Sequence, residues 1–391
     1  MSYFIYFLFL ICFVITTLFL VLEFIPRMIS VYQHRFKKVK TLEKIDQDIE
    51  KLILSNAMKM VRSDKITMIW EEKNHSFIEK IVFLFKRRNS HSYEFKKFNY
   101  PRAFLLLGIV SYLIELNNKK MLDDFKKLFD KYITKEGDPS FQINRVDQTP
   151  FGEVALKLYN VYREEKYIYF AGQIYNYLKR NVDSSDGIIE YRPDAKFILS
   201  DTIGLTVPFL LQYAEISELT DASKLAEQQI DYFINYGVDD YSNLPVHGIE
   251  KITKIKVGSA NWGRGIGWYF LGLSACAKNN LRFMKHSQKL EESLNQLKNR
   301  QGLWTQFPGS SEKFDASSTL ILFYSMLVNN SRYLTKSQFL DLLLPYLSSN
   351  GIILQTSGDT FGLNDYSKSF GSSELSQGFL LLSLSKLTEN E

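Results

Sequence analysis

A repeating helical pattern is the feature that most restricts the fold of this chain. From Tyr100 onward, apolar stretches with helical spacing begin roughly every 50 to 60 residues. They begin near Ala103, Gly152, Ile203, Gly265, Ser317 and Glu374. A more polar helical pattern follows five of them, at residues 121–132, 167–178, 222–233, 283–297 and 337–347. A helical hairpin repeated at this period buries its apolar face only against its neighbours. The pattern therefore predicts an all-α toroid, a six-hairpin (α/α)6 barrel with six inner helices inside six outer ones.

The sixth outer helix has to come from elsewhere in the chain. Residues 42–62 have helical spacing and precede the first inner pattern, so they are the candidate that closes the ring. No stretch alternates with a strand period for long enough to build a sheet. We therefore expect only short strands, in the connections.

The N-terminus predicts a membrane anchor. Residues 2–22 contain no charged side chain and are long enough to cross a bilayer as one helix. A cleaved signal peptide is less well supported, because no Lys or Arg precedes the run and no small-residue cleavage site follows it. The flank after the run is basic, which predicts a cytoplasmic barrel by the positive-inside rule; it contains Arg27, Arg35, Lys37, Lys38 and Lys40.

The predicted organisation has three parts. Residues 1–26 form the transmembrane anchor, and residues 27–99 form a juxtamembrane helix and linker that is partly the first barrel helix. Residues 100–391 form the barrel.

The net charge of +5 is small for 391 residues and the charges are interspersed, so nothing indicates a nucleic-acid partner. Cys12 and Cys276 are the only cysteines and no Cys/His cluster has metal-ligand spacing, so neither a disulfide framework nor a metal site is predicted.

Distinctive polar residues stand at the same place in several repeats, just before an inner helix. They are Asp147, Asp201 and Asp315, together with Trp262 and Arg264 in the stretch GSANWGRGIGWYFLGL (258–273). In a closed ring these positions meet at one rim. Each aspartate could also be a helix N-cap, but capping alone does not explain several carboxylates beside Trp and Gly. The guanidinium of Arg264 suits a carboxylate, either of a substrate or of Asp315.

Six segments carry a resemblance to a known family. They are VDQTPFGEVALKLY (146–159), LSDTIGLTVPFLLQYA (199–214), NWGRGIGWYFLGL (261–273), GLWTQ (302–306), FDASSTLILFYSM (314–326) and QGFLLLSLSKL (377–387). In letters, order and spacing the chain resembles the unsaturated glucuronyl and rhamnogalacturonyl hydrolases, glycoside hydrolase families 88 and 105, from about residue 100 to 387. The family fold is a six-hairpin α/α barrel, in agreement with the repeat count.

The resemblance implies an unusual glycosidase reaction. The family's substrates are oligosaccharides that end in a uronic acid with a 4,5-double bond, and the enzyme hydrates that bond. By resemblance, Asp201 is the proton donor and Asp147 the second catalytic carboxylate, with no metal or organic cofactor. The same resemblance and the rim argument give the candidate substrate-binding residues Trp262, Arg264, His247, Trp268, Trp304, Asp315 and Ser317.

Some positions depart from the family pattern. Thr305 stands where the family usually has a histidine, Asp315 stands where it often has Glu, and most members are soluble. Two other classes of function therefore stay open. One is a membrane-tethered, non-catalytic carbohydrate-binding or assembly protein in surface polysaccharide metabolism. The other is a different α/α-barrel enzyme, such as a lyase or epimerase, although no motif contains the Tyr/His or His/His pair that these would require.

Overall fold

The structure is a computed structural model, and its described residues form two compact units. It describes residues 2–26, 28, 41–42, 48–63, 98–278, 280–311, 313–329 and 334–389. The first unit contains residues 2–26 and 28, and the second contains the rest, from Thr41 onward. Most of the predicted linker at 27–99 lies outside the described residues, so the three predicted parts of the chain stay predictions.

The first unit is one apolar helix. Helix α1 (Ser2–Phe19) continues through a π-helical turn at Leu20–Phe24. The stretch Tyr3–Phe24 is long and apolar enough to cross a membrane, and its apolar side chains are exposed. Length and composition therefore agree with an anchor, while a signal sequence near an N-terminus has the same properties. The bilayer contact of residues 2–22 and the side on which the barrel lies remain predictions.

The second unit is a double ring of helices. In the described residues the inner helices are α3 (Tyr100–Glu115), α5 (Pro150–Tyr162), α7 (Ser200–Ser217), α9 (Gly263–Ala277), α11 (Ala316–Val328) and α13 (Glu374–Glu389). The outer helices are α2 (Ile49–Arg62), α4 (Lys119–Phe129), α6 (Glu165–Arg180), α8 (Thr220–Tyr236), α10 (Leu281–Gln296) and α12 (Lys336–Leu343). Each inner helix packs against the next, and α13 packs against α3, so the ring is closed. The predicted (α/α)6 barrel is confirmed.

The two rings differ in burial as their sequences predict. The inner helices are buried over most of their surface, whereas the outer helices bury one apolar stripe and expose the other face. Polar caps start several helices: the side chains of Asn99, Asn118 and Asn280 accept backbone N–H bonds at the starts of α3, α4 and α10. Local sequence and tertiary packing thus specify the same helices.

The ring is closed by α2, α3 and α13. Arg102 of α3 makes a buried two-bond ion pair with Glu374 of α13, at 2.8 and 2.7 Å, and donates to the Val61 carbonyl of α2 at 3.1 Å. Two glycines let α3 and α13 approach closely: a Cβ on Gly108 would lie 2.3 Å from the carbonyl oxygen of Gly378. Helix α2 begins at Ile49 rather than Leu42, and residues 43–47 lie outside the described part.

Short strands lie in the connections that precede inner helices, as expected. Strands β1 (Phe197–Leu199), β2 (Gly248–Glu250) and β3 (Lys256–Val257) form an antiparallel sheet in that order. Farther along, β4 (Thr356–Ser357) pairs with β7 (Phe370–Gly371), and β5 (Thr360–Gly362) pairs with β6 (Asp365–Tyr366). These small sheets hold the loops at the N-terminal ends of the inner helices, where the predicted site lies.

Candidate active site

A cleft of about 530 Å³ opens at this rim of the barrel. Its described lining includes the side chains of Tyr100, Tyr191, Asp201, His247 and Asp359. The remainder of the lining comes from residues 192–197 and Leu199, before α7, and from Thr360, Gly362 and Leu363 in the β5 region. A cleft of this volume is in the range of small-ligand sites.

The β1–β2 pairing positions Asp201 opposite His247. Leu199 pairs with Gly248, and the Ser200 N–H donates to the His247 carbonyl at 3.0 Å, so the two side chains enter the cleft side by side. Asp201 is the second residue of α7, and its Oδ2 lies 3.4 Å from His247 Nε2. His247 Nδ1 lies 3.3 Å from the Leu363 carbonyl oxygen. A carbonyl oxygen only accepts, so Nδ1 is the donor when this contact is a hydrogen bond, and Nε2 is the ring nitrogen that faces Asp201.

Asp147 is a buried carboxyl with a raised pKa. It lies in a 3-10 turn at Val146–Gln148, just before α5, with only 1% of its surface exposed. Its Oδ1 accepts a 2.5 Å hydrogen bond from the Tyr191 hydroxyl, and its Oδ2 has no hydrogen-bond partner. Burial raises the pKa of Asp147 to about 7, against the Tyr191 bond, and the Asp359 and Asp201 carboxylates add to the rise. The group can therefore hold or release a proton near neutral pH.

Asp147 is outside the described lining of the cleft and bonds to Tyr191, which is part of it, so the second carboxyl in that lining after Asp201 is Asp359. It lies between β4 and β5, and its Oδ1 accepts the Thr360 N–H at 3.0 Å. Burial raises its pKa, and the Asp201 carboxylate acts in the same direction, whereas Arg264 opposes the rise. The side chain of Tyr100, the first residue of α3, also opposes the rise in the pKa of Asp359. Asp147, Asp201 and Asp359 thus interact electrostatically with one another.

Arg264 lies behind the cleft, and its guanidinium already makes three contacts within the protein. Its guanidinium is buried, with 2% of the residue exposed. Nη1 donates to the Ser357 carbonyl at 3.1 Å and Nη2 to the Gly358 carbonyl at 2.7 Å. Nη2 also pairs with Asp359 Oδ1 at 3.5 Å. The guanidinium therefore fixes the loop that carries Asp359, and its ion pair is with Asp359.

The three candidate tryptophans lie in different surroundings. Trp262 is buried behind His247, with ring centroids 4.2 Å apart, and its Nε1 has no hydrogen-bond partner. Trp268 packs in the barrel core against Tyr100 and Phe104. Trp304 is also buried, and its Nε1 donates to the Leu294 carbonyl at 2.9 Å. None of the three is in the described lining of the cleft.

Asp315 and Ser317 form a buried hydrogen-bond cluster. Asp315 is the N-cap of α11, and its oxygens accept bonds from the backbone N–H and hydroxyl groups of Ser317, Ser318 and Ser357. Thr305, which departs from the family pattern, is also buried, and its hydroxyl donates to the Phe307 carbonyl at 2.7 Å. These contacts join α11 to β4, so the cluster supports the cleft loop from behind, and the substrate-binding role stays a prediction.

The structure brings together Asp147, Asp201 and His247, which the sequence singled out. It adds Tyr100, Tyr191 and Asp359, which sequence reasoning missed. The same positional argument could have found two of them, because Tyr191 and Asp359 also lie in connections that precede inner helices. In the part of the chain that the structure describes, no group of three or more His, Cys, Asp or Glu side chains is arranged to hold a metal ion.

Comparisons with known proteins agree with this fold. The sequence model of Glycosyl Hydrolase Family 88 matches residues 76–344. A possible member of the GH105 family from Klebsiella pneumoniae is similar in structure, with a TM-score of 0.71 and 15% identity, over 89% of this chain and 94% of that one. A family 105 glycoside hydrolase from C. acetobutylicum has a TM-score of 0.64 and 16% identity, over 81% of this chain and 99% of that one.

A third similar structure contains a sugar. It is a UGL variant with dGlcA-Glc-Rha-Glc, at a TM-score of 0.65 and 13% identity, covering 86% of this chain and 95% of the other. At these identities the structural likeness supports the fold alone. The family match covers more than half of the chain, and the predicted family is confirmed: the chain belongs to Glycosyl Hydrolase Family 88.

Proposed function

We propose that this protein is a glycosidase that removes an unsaturated uronic acid from the end of an oligosaccharide by hydrating its 4,5-double bond. The observation that carries the proposal is the pairing of Asp201 with His247 in the cleft, next to a buried Asp147 whose pKa is raised to about 7. Membership of the family and the sugar in the similar UGL structure support the substrate class.

The proposed reaction begins with proton transfer from the Asp201 carboxyl to C4 of the sugar. The positive charge then develops at C5 and the ring oxygen, and a water molecule adds at C5. That water gives one proton back to the carboxylate pair, so the site returns to its starting state. The resulting hemiketal opens, and the oligosaccharide is released with a free hydroxyl. Asp147 shares the local negative charge and helps to place the water, since its buried Oδ2 has no other hydrogen-bond partner.

The candidate binding residues take different parts in this proposal. His247 lies in the cleft lining beside Asp201, so it holds the Asp201 carboxyl in place and can also touch the sugar. Trp262 supports His247 from behind. Arg264 acts through the loop that it binds, and it keeps Asp359 at the cleft wall. The sugar carboxylate would approach Asp201 and Asp359 in the cleft lining and the buried Asp147 beside Tyr191, so a raised pKa at Asp147 and Asp359 reduces repulsion.

An absorbance assay tests the proposal directly. The conjugated double bond of unsaturated uronides absorbs in the near ultraviolet, and hydration removes it. Full-length wild type, mixed with lyase-generated oligosaccharides, should remove this absorbance. Asp201→Asn should lose about 10²–10⁴-fold in rate with binding largely kept, because the amide has no carboxylic proton to give.

The chain offers a matched control at Asp221. It is the second residue of outer helix α8, as Asp201 is of inner helix α7, but it is exposed. Asp221→Asn should keep wild-type activity. Near-normal activity of Asp201→Asn would rule out the proton-donor role. Binding of oligosaccharides with no loss of absorbance by wild type would favour the non-catalytic carbohydrate-binding alternative.

We also propose that residues 2–22 cross the membrane once and that the barrel lies in the cytoplasm. The uncharged run and the basic residues that follow it support this orientation. Tyr241 is 98% exposed on the barrel, so Tyr241→Cys offers a reporter thiol. An impermeant thiol reagent should label it only after the cells are opened, with wild type as the control for Cys12 and Cys276. Labelling in intact cells would overturn the orientation.

A further inference from the structure

A second and larger cavity lies at the other end of the barrel. Its volume is about 770 Å³, and it shares no lining residue with the cleft. All six inner helices contribute to it, mainly through their C-terminal halves; one residue from each is Leu107, Lys157, Gln212, Cys276, Tyr324 and Lys386. Because the inner helices begin at the rim of the cleft, this cavity opens at the opposite rim.

Two polar groups in the cavity have no partner in the protein. Glu153 of α5 is 8% exposed, and its Oε1 is buried without a hydrogen bond. The Oε1 atom of Gln212 on α7 is also buried without a hydrogen bond. Buried polar atoms in folded proteins are nearly always hydrogen-bonded. Two such atoms facing one cavity therefore indicate that something in the cavity bonds to them.

Two of the three lysines in the cavity lining, Lys157 and Lys278, are also without an ion pair in the described residues. Lys157 lies one helical turn after Glu153 and makes no ion pair in the described part of the chain, whereas Lys386 pairs with Glu389. Burial lowers the pKa of Lys157, the nearby Glu153 opposes this, and repulsion from Lys386 and Lys278 adds to the decrease. Burial raises the pKa of Glu153 to about 8, against the charge of Lys157, so this carboxyl can hold a proton near neutral pH. An anion beside Lys157 would stabilise its charge and accept a hydrogen bond from Glu153.

The rest of the lining is consistent with a small amphipathic ligand. Phe104, Leu107 and Leu271 are buried and form an apolar wall. The other acidic residues of the lining, Glu215, Glu218 and Glu227, are exposed, so water screens them from the interior. The cavity thus offers one anion-binding corner, one hydrogen-bond acceptor and an apolar face within a volume in the range of small-ligand sites.

We infer that this cavity binds a monosaccharide-sized sugar acid, with its carboxylate at Lys157 and Glu153 and a hydroxyl donating to Gln212. The ring of such a ligand would pack against the apolar wall. This inference does not depend on the reaction proposed for the cleft, because it rests on other residues at the other end of the barrel.

A calorimetric titration tests it, with D-glucuronate as the probe and the full-length chain in mild detergent. Glucose lacks the carboxylate and acetate lacks the hydroxyls, so both should bind much more weakly. Lys157→Met should weaken glucuronate binding at least about tenfold, since a lost charged contact is typically worth a decade or more in affinity. Lys285→Met, on the exposed face of α10, is the matched control and should bind as wild type does.

The design separates this cavity from the cleft. A molecule bound in the cleft is unaffected by Lys157→Met, so the loss on this substitution reports the second cavity alone. The rate of the cleft reaction should stay at the wild-type level in Lys157→Met. If Lys157→Met does not fold, Gln212→Leu removes the acceptor and keeps the lysines, and it should also weaken glucuronate binding about tenfold.

Two results would overturn the inference. The first is glucuronate binding that neither substitution changes; the lysines would then only balance the negative ends of the inner helices. The second is equal affinity for glucuronate, acetate and glucose, which would show that the cavity recognises neither the carboxylate nor the sugar ring.

Discussion

The raised pKa of Asp147 makes the stability of the barrel depend on pH in a predictable direction. In the unfolded chain this group ionises near pH 3.9, whereas in the fold its pKa is about 7. Between these values the folded protein holds the extra proton, so the stabilisation is complete below about pH 4 and is lost as pH rises through 7. A pKa increase of this size corresponds to about 4 kcal/mol.

Asp147→Asn removes this titration with little change in shape. The amide oxygen can still accept the Tyr191 hydroxyl, and no carboxylate has to be charged in the interior. From pH 5 to pH 8 the free energy of unfolding of wild type should fall by about 2.5 kcal/mol relative to that of Asp147→Asn. Glu153 also has a raised pKa, but it does not interact with Asp147 and cancels in the difference, whereas Asp359 interacts with Asp147 and contributes a change of its own.

Urea unfolding of both proteins, at pH 5, 6, 7 and 8, measures this difference. Asp221→Asn, which changes an exposed carboxyl, should follow wild type at every pH. Parallel curves for wild type and Asp147→Asn would refute the argument, because they would mean that the Asp147 carboxyl is as well solvated in the fold as in water.

Three further predictions concern the parts that support the site. Gly108→Ala should destabilise the barrel by about 2 kcal/mol in a thermal melt, because its Cβ would meet the Gly378 carbonyl; Gly172→Ala, near only the end of a tyrosine side chain at 3.3 Å, should be neutral or stabilising. Asp315→Ala should cost about 3 kcal/mol or more, since buried serine donors lose their acceptor, and Asp315→Asn should cost less. Arg264→Lys should lower activity by at least about tenfold without unfolding the chain, because one ammonium cannot reproduce the planar contacts to two carbonyls; wild-type activity would contradict this role.

The fold was predictable because its signal is local and repeated. Each inner helix is apolar on most faces and each outer helix on one, so the period of the pattern marks both rings. Polar residues before these helices marked the starts, and Asp315 is indeed an N-cap. The predicted start of α2 differs from that in the structure: the apolar spacing continues back to Leu42, whereas the helix begins at Ile49.

The candidate site was only partly predictable, because its members come from connections that have no periodic pattern. Asp147 and Asp201 could be grouped by their positions in successive repeats. The contact of Asp201 with His247 depends on the pairing of β1 with β2, strands of three residues each. The contact of Asp147 with Tyr191 joins residues 44 positions apart. Strands this short and contacts this distant leave little trace in the local sequence.

Arg264 shows the limit of reasoning from residue type. Its guanidinium suits a carboxylate, and the sequence offered two, that of a substrate and that of Asp315. In the structure the donors go instead to two backbone carbonyls and to Asp359. Every residue has a carbonyl, so residue types alone do not single out the acceptor; the folding of the loop at 357–359 decides it. A substitution of Arg264 that lowers substrate affinity can therefore act by moving this loop or by removing a contact with the sugar. A substitution of Asp359, which the same loop carries, distinguishes these two effects.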